Sequence, residues 1–201
     1  MSGIQYGVYA LLLKLSVTVA FPFGASHQAC GHMKPVGHPG VENKSPAPYR
    51  VLVSHNTYYD GHSLNVTLMS VETDVKFRGF LLQARCRTCA YPTVPVGVFR
   101  TIRGQPPARV MNCFNTIAAI TQLSKIPKER VVVTWTPPDN FDKDVHMRVT
   151  FVESRMSYWG NVISETITRN NGPPTRPQST TTEAITTQPT TTYTRDITVY
   201  T

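Results

Sequence analysis

Four cysteines, Cys30, Cys86, Cys89 and Cys113, fall inside a Pro-rich, strand-forming block flanked by an apolar leader and a Thr-rich tail. That arrangement constrains the fold more than any other feature. A chain exported through an oxidising compartment forms disulfides, and export removes most intracellular chemistry from contention. Sixteen prolines and twelve glycines in 201 residues argue against long helices. The block between leader and tail has roughly 145 residues, the size of one domain with a substantial core.

The leader is the apolar run Gly7 to Ala20, GVYALLLKLSVTVA. It has signal-peptide length and is too short to span a bilayer. Thr18 and Ala20 are small residues positioned for cleavage before Phe21, so residues 1–20 are expected to be a signal peptide and residues 21–169 the domain. From Asn170 onward, twelve of 32 residues are Thr and four are Pro. Such a segment buries too little apolar surface to offset chain entropy, so residues 170–201 are expected to be a disordered, stalk-like tail. No transmembrane span is visible in the sequence. The expected location is therefore extracellular, or the cell surface if a longer membrane-anchored form exists.

Several segments of the block alternate with the period of a strand. Tyr49 to Ser54 is one; Leu64 to Leu68 puts Leu64, Val66 and Leu68 on one face and Asn65 and Thr67 on the other, Arg130 to Thr136 buries Val131, Val133 and Trp135, and Val145 to Phe151 buries Val145, Met147, Val149 and Phe151. Lys76 to Ala84 and Tyr158 to Ile167 are further candidates. Turn signals separate them at Tyr59-Asp60-Gly61, Pro95-Val96-Gly97, Arg103-Gly104 and Thr136-Pro137-Pro138-Asp139. Short strands at this spacing predict an all-β antiparallel sandwich. The stretch Asn112 to Lys125 mixes Ala118-Ala119 with β-branched residues and reads as a loop with at most one helical turn.

Four cysteines allow three pairings. Cys30–Cys113 with Cys86–Cys89 is the simplest scheme, because Cys86 and Cys89 are chain neighbours. Two sharper readings compete. A thioredoxin-like Cys-x-x-Cys opens a helix that lowers the thiol pKa, whereas Cys86-Arg87-Thr88-Cys89 runs into a segment containing Pro92 and Pro95. A four-cysteine zinc site needs two paired knuckles, and the spacing here is different.

The net charge is +8, and the tail is neutral because Arg176 and Arg195 balance Glu183 and Asp196. The excess therefore belongs to the block and favours acidic partners. Outside the cell these are sulfated glycans, bacterial surfaces or an extracellular protein, with nucleic acid excluded by export. The basic-surface candidates are Arg85, Arg87, Arg100, Arg103, Arg109, Lys125, Lys128 and Arg130. Asn65-Val66-Thr67 and Asn43-Lys44-Ser45 match the N-glycosylation pattern, and strand alternation puts Asn65 on a solvent face. His27, His32 and His38 lie in an irregular Gly/Pro-rich segment and read as surface histidines. No nucleophile motif, zinc-protease motif, P-loop or dinucleotide fingerprint occurs. No catalytic residue, metal or cofactor is therefore expected.

A longer pattern then emerges. Ala29-Cys30-Gly31-His32-Met33-Lys34-Pro35 opens the block, and Ser45-Pro46-Ala47-Pro48-Tyr49 leads into the first strand. Phe77-Arg78-Gly79-Phe80-Leu81-Leu82-Gln83-Ala84-Arg85 follows, with Cys113, Thr134-Trp135-Thr136-Pro137-Pro138 and Tyr158-Trp159 downstream. Together these resemble the reeler (reelin-type N-terminal) domain over about Gly24 to Thr166. More loosely the layout is similar to the N-terminal part of ferric-chelate-reductase-like proteins and to small insect defence proteins. The resemblance implies an immunoglobulin-like β-sandwich and a Cys30–Cys113 bridge. The family's usual loop lacks the Cys86/Cys89 pair, and Tyr158-Trp159-Gly160-Asn161 stands where members often read Phe-Trp-Val-Gly. The haem and reductase modules of the larger relatives have no counterpart in this sequence, so their electron transfer is not implied. The function expected is that of a non-enzymatic recognition or adhesion module. The alternatives are an innate-immune protein that binds bacterial surfaces, and an ectodomain fragment of a ferric-chelate-reductase-like membrane protein.

Overall fold

A computed structural model describes residues 23–172. The leader assigned to residues 1–20 lies outside the described residues, as does the Thr-rich tail beyond residue 172. A short 3-10 turn, His27–Ala29, precedes twelve strands. In chain order these are β1 (Val41–Glu42), β2 (Tyr49–Val53), β3 (Thr57–Tyr58), β4 (Leu64–Ser70), β5 (Gly79–Cys86), β6 (Val98–Thr101), β7 (Ala108–Cys113), β8 (Thr116–Gln122), β9 (Arg130–Thr136), β10 (Val145–Val152), β11 (Ser157–Ile163) and β12 (Thr168–Arg169). They form a six-stranded sheet ordered β1-β11-β10-β5-β8-β7 and a four-stranded sheet ordered β2-β4-β9-β6, with β3 and β12 paired separately. Pairing is antiparallel throughout both sheets except at β1–β11, and β3–β12 is also parallel.

The two sheets face each other as a sandwich of the immunoglobulin-like kind. The four-stranded sheet contributes Val51, Leu64, Val66, Leu68, Phe99, Val131, Val133 and Trp135 to the shared core. The six-stranded sheet contributes Phe80, Leu82, Ala84, Ile120, Val145, Met147, Val149 and Phe151. Tyr49 anchors one end, stacked on Phe151 with ring centroids 4.9 Å apart and edge-on to Trp159 at 5.4 Å. Its hydroxyl donates to the Lys76 carbonyl, and burial pushes its pKa up to about 12 with help from Glu153 and Glu72. At Pro95-Val96-Gly97 the backbone turns with a positive φ of 74° at Gly97, a conformation that costs glycine little. A Cβ there would collide with Trp135 and the Thr136 carbonyl. The turn can then sit against the indole, whose Nε1 donates to the Val96 carbonyl at 2.9 Å.

A second core lies on the outward side of the six-stranded sheet. Ala29, Cys30 and Met33 of the N-terminal segment pack there against Leu81, Met111, Cys113 and Ala119. All eight residues of β5 are buried as a result. This layer also corrects the reading of Asn112 to Lys125 as a loop. Residues Thr116–Gln122 form β8, with Ala118, Ala119 and Ile120 fully buried. A strand covered on both faces shows no alternation, so the apolar run carried no period to read. The β7–β8 hairpin closes through Phe114 and Asn115, whose φ values of 53° and 63° match a two-residue type I′ turn.

Candidate functional site

The outward face of the four-stranded sheet is assembled by register. One cross-strand row runs Arg50–Met69–Arg130 through β2, β4 and β9. The next runs Leu52–Thr67–Val132, and a third runs Asn65–Thr134–Arg100 through β4, β9 and β6. Arg50, Arg100 and Arg130 are exposed, and no acidic residue occurs in these rows. With strands about 4.8 Å apart, Arg50 and Arg130 stand about 10 Å apart at their backbones. Arg103 and Lys125 are exposed on neighbouring loops. Arg50 was not among the residues singled out from the sequence. Its signal was available in Tyr49 to Ser54, where Val51 faces inward and Arg50 must face out.

The outward face of the six-stranded sheet is covered. Residues 23–38 cross it as a strap fastened by polar side chains. Thr150 Oγ1 donates to the Met33 carbonyl at 2.6 Å, and Gln83 Nε2 donates to that of Cys30 at 3.1 Å. Ala25 N donates to Thr121 Oγ1 at 3.0 Å, and Arg109 donates to the carbonyls of Phe23 and Ala25. Arg85 belongs to this layer and not to the surface, since it is 1% exposed. Its guanidinium donates to the carbonyls of Cys30 (2.8 Å), Gly31 (3.2 Å) and Pro92 (3.1 Å). Burial and the Arg148 charge push its pKa down to about 10.

Lys128 is a second correction. It is 4% exposed, and its ammonium donates to the carbonyls of Ser124 (2.7 Å), Ile126 (2.7 Å) and Arg78 (3.0 Å). It closes the loop between β8 and β9 from inside. Burial, with Arg78 adding to it, pushes its pKa down to about 8. In both cases a long stem carried the charge inward to carbonyls that no backbone amide reaches, an outcome that charge counting does not reveal. Arg87 is exposed and donates to Thr166 Oγ1, while Arg109 is half-buried.

Both cysteine pairs are bonded. Cys30–Cys113 spans 83 residues with Cα atoms 5.5 Å apart and staples the strap to β7. Cys86–Cys89 closes a four-residue loop at the end of β5. Asn65 is exposed on β4, and Asn43 is exposed with its side chain accepting from Ser45. The N-terminal histidines do not converge. His27 meets the Asn112 carbonyl at 2.7 Å, whereas His32 Nδ1 accepts from Lys34 N. No group of three or more His, Cys, Asp or Glu suited to a metal occurs among the described residues. No helix among them is long and apolar enough to cross a membrane.

Comparison with known proteins agrees with this architecture. Putative defense protein 3 of Antheraea mylitta is 32% identical over 161 residues, covering 80% of this chain and 94% of that protein. Ferric-chelate reductase 1 of Mus musculus is 30% identical over 183 residues, but the match spans only 29% of its length. The crystal structure of the human F-spondin reeler domain superposes with a TM-score of 0.51 at 22% identity, covering 65% of this chain and 94% of that one. The Reeler domain profile matches residues 28–175, and the chain belongs to the reeler domain family.

Proposed function

We propose that this protein is a secreted, non-enzymatic recognition module that binds sulfated glycans or another anionic surface through the outward face of its four-stranded sheet. The observation that carries this reading is the register of Arg50, Arg100 and Arg130 across β2, β6 and β9 with no carboxylate among them. Uncompensated cations on a flat sheet raise the local concentration of polyanions and speed their association. The domain is held by two disulfides, as suits export, and its exposed sequon at Asn65 suits the same route.

Heparin chromatography tests it. The wild-type domain is expected to be retained at low salt and to elute as counterion screening rises. The triple variant Arg50→Gln, Arg100→Gln, Arg130→Gln is expected to elute much earlier. Wild-type protein that flows through at low salt would end the proposal.

A second reading is binding of bacterial surfaces. It is favoured by the near-full-length match to proteins named as putative defence proteins. Retention on lipopolysaccharide or peptidoglycan, with none on heparin, would select it.

A further inference from the structure

The strap hides an unusual cluster of positive charge. On the outward side of the six-stranded sheet, Arg85 stands directly across from His146 and Gln83 directly across from Arg148. Arg85 and Arg148 are therefore diagonal neighbours, about 7–8 Å apart at their backbones. Arg87, two residues along β5's direction from Arg85, stands at the exposed rim. Arg85 is fixed in place because its two terminal nitrogens are already committed to three backbone carbonyls.

Two donors in this cluster have no partner. Arg85 Nε and Arg148 Nε are both buried and unbonded. A buried, charged donor left without an acceptor costs free energy that a folded protein normally avoids. The cluster also lacks a counter-charge. No ion pair among the described residues involves Arg85, Arg87, His146 or Arg148. The charges acting on His146 are all positive: Arg87 and Arg85 from β5, and Arg148 from its own strand. With burial as the larger cause, they hold its pKa below the ordinary histidine value. Three arginines and a histidine thus share one end of this face, with no ion pair among the described residues to compensate them.

We infer that the cluster formed by Arg85, His146 and Arg148, with Arg87 at its rim, is a binding site for a small tetrahedral oxyanion, sulfate or phosphate. Arg85 is its floor, preset by the strap and by the Pro92 carbonyl of the loop that Cys86–Cys89 closes. His146 and Arg148 are half-buried and form its walls. A planar guanidinium presents its N–H groups in the geometry that oxyanions accept, and partial burial strengthens each bond. The site lies on the opposite side of the sandwich from Arg50, Arg100 and Arg130, so it does not rest on the proposed polyanion face. A single trapped water is the rival occupant. It could satisfy the same nitrogens, but it would not select a charge.

The test is titration of the intact domain with sodium sulfate, sodium phosphate and a sulfated disaccharide at constant ionic strength set with sodium chloride. Binding is read by calorimetry and by the His146 imidazole resonances. Saturable binding of sulfate or phosphate is expected, with His146 shifting and its pKa rising. Arg148→Gln is expected to weaken it about tenfold or more, the loss of one charge-assisted bond. Lys44→Gln, an exposed lysine that pairs only with Glu42 and belongs to neither basic surface, should leave it unchanged. The ion of higher affinity identifies the source: the disaccharide for glycan sulfate, phosphate for a free or esterified phosphate. If Arg148→Gln does not fold, His146→Gln is read by calorimetry alone, with a comparable weakening expected. Sulfate and phosphate effects no greater than those of chloride, or binding equally tight in both wall variants, would overturn the site.

Discussion

The two outward faces of this sandwich are built from the same alternation of side chains and end in opposite environments. On the four-stranded sheet, residues that alternate with the core meet solvent, and Arg50, Arg100 and Arg130 remain free to meet a partner. On the six-stranded sheet, the equivalent positions Gln83, Arg85, Thr121 and Thr150 are buried, because the strap lies over them. Polarity alone does not distinguish the two cases. On the open face polar groups are solvated, whereas on the covered face each one holds a backbone group of the strap. The same residue type, arginine, is exposed to solvent on one side and a fastening on the other.

The strongest way to break this contrast is to release the strap. Removing the Cys30–Cys113 bridge by replacing both cysteines with serine is expected to cost about 4–5 kcal/mol in the chain-entropy model. For a domain of this size that lowers the thermal midpoint by about 10–15 °C. Amide exchange should accelerate first in residues 23–38, before the four-stranded sheet opens. The corresponding change at Cys86 and Cys89 frees a much shorter loop and is expected to cost about 2 kcal/mol by the same relation. Equal losses for the two pairs would mean that the strap contributes nothing the long bridge secures.

A single arginine on each face gives the next comparison. Arg85→Met leaves the Gly31 and Pro92 carbonyls without their donor and the Cys30 carbonyl with Gln83 alone, and is expected to destabilise the domain by about 2–4 kcal/mol. Arg100→Met touches no buried group and should change stability by less than about 0.5 kcal/mol. Heparin retention should follow the reverse order, falling for Arg100→Met and holding for folded Arg85→Met. Chemical denaturation and salt-gradient elution on the same preparations decide between these outcomes.

How much of this could be read from the sequence follows the same division. β2, β4, β9 and β10 were legible as strands because one side of each packs in the core while the other is largely polar, which leaves a period of two. β8 was not legible, since Ala118, Ala119 and Ile120 are all buried and erase the period. Arg85 and Lys128 were read as surface charges for a related reason. A charge count registers that a guanidinium or ammonium exists, and only tertiary contacts reveal that carbonyls await it inside. Arg50 carries no charge-dense neighbourhood to mark it, and its outward position follows only from the register of Val51 in the core.

Asn65 sharpens the account of the open face. It shares a cross-strand row with Thr134 and Arg100, so a glycan attached there would rise beside the basic side chains. Asn65→Gln is expected to reduce the apparent mass of protein from a glycosylating host by one N-glycan. It should also raise heparin retention severalfold while leaving the thermal midpoint nearly unchanged. Unaltered mass would show that the sequon is unused and that the face is permanently open.

The smallest expected effect separates the faces by their response to acid. Burial first, and the Arg87, Arg148 and Arg85 charges after it, lower the pKa of His146 in the folded chain. Just below the ordinary value of about 6.5, the unfolded chain then holds more protons than the folded one. Stability must therefore decline as pH falls through 6.5 and continue to decline until the folded imidazole itself takes up a proton. His146→Gln removes that contribution and should flatten the stability profile over this window. No histidine lies in the paired rows of the open face, so Arg100→Gln should keep the wild-type slope. Sulfate or phosphate bound in the cluster would favour the charged imidazole and reduce the slope of the wild-type protein as well. An acid slope that His146→Gln leaves intact would mean that the imidazole is as well solvated when folded as when unfolded, and that this end of the covered face is wet.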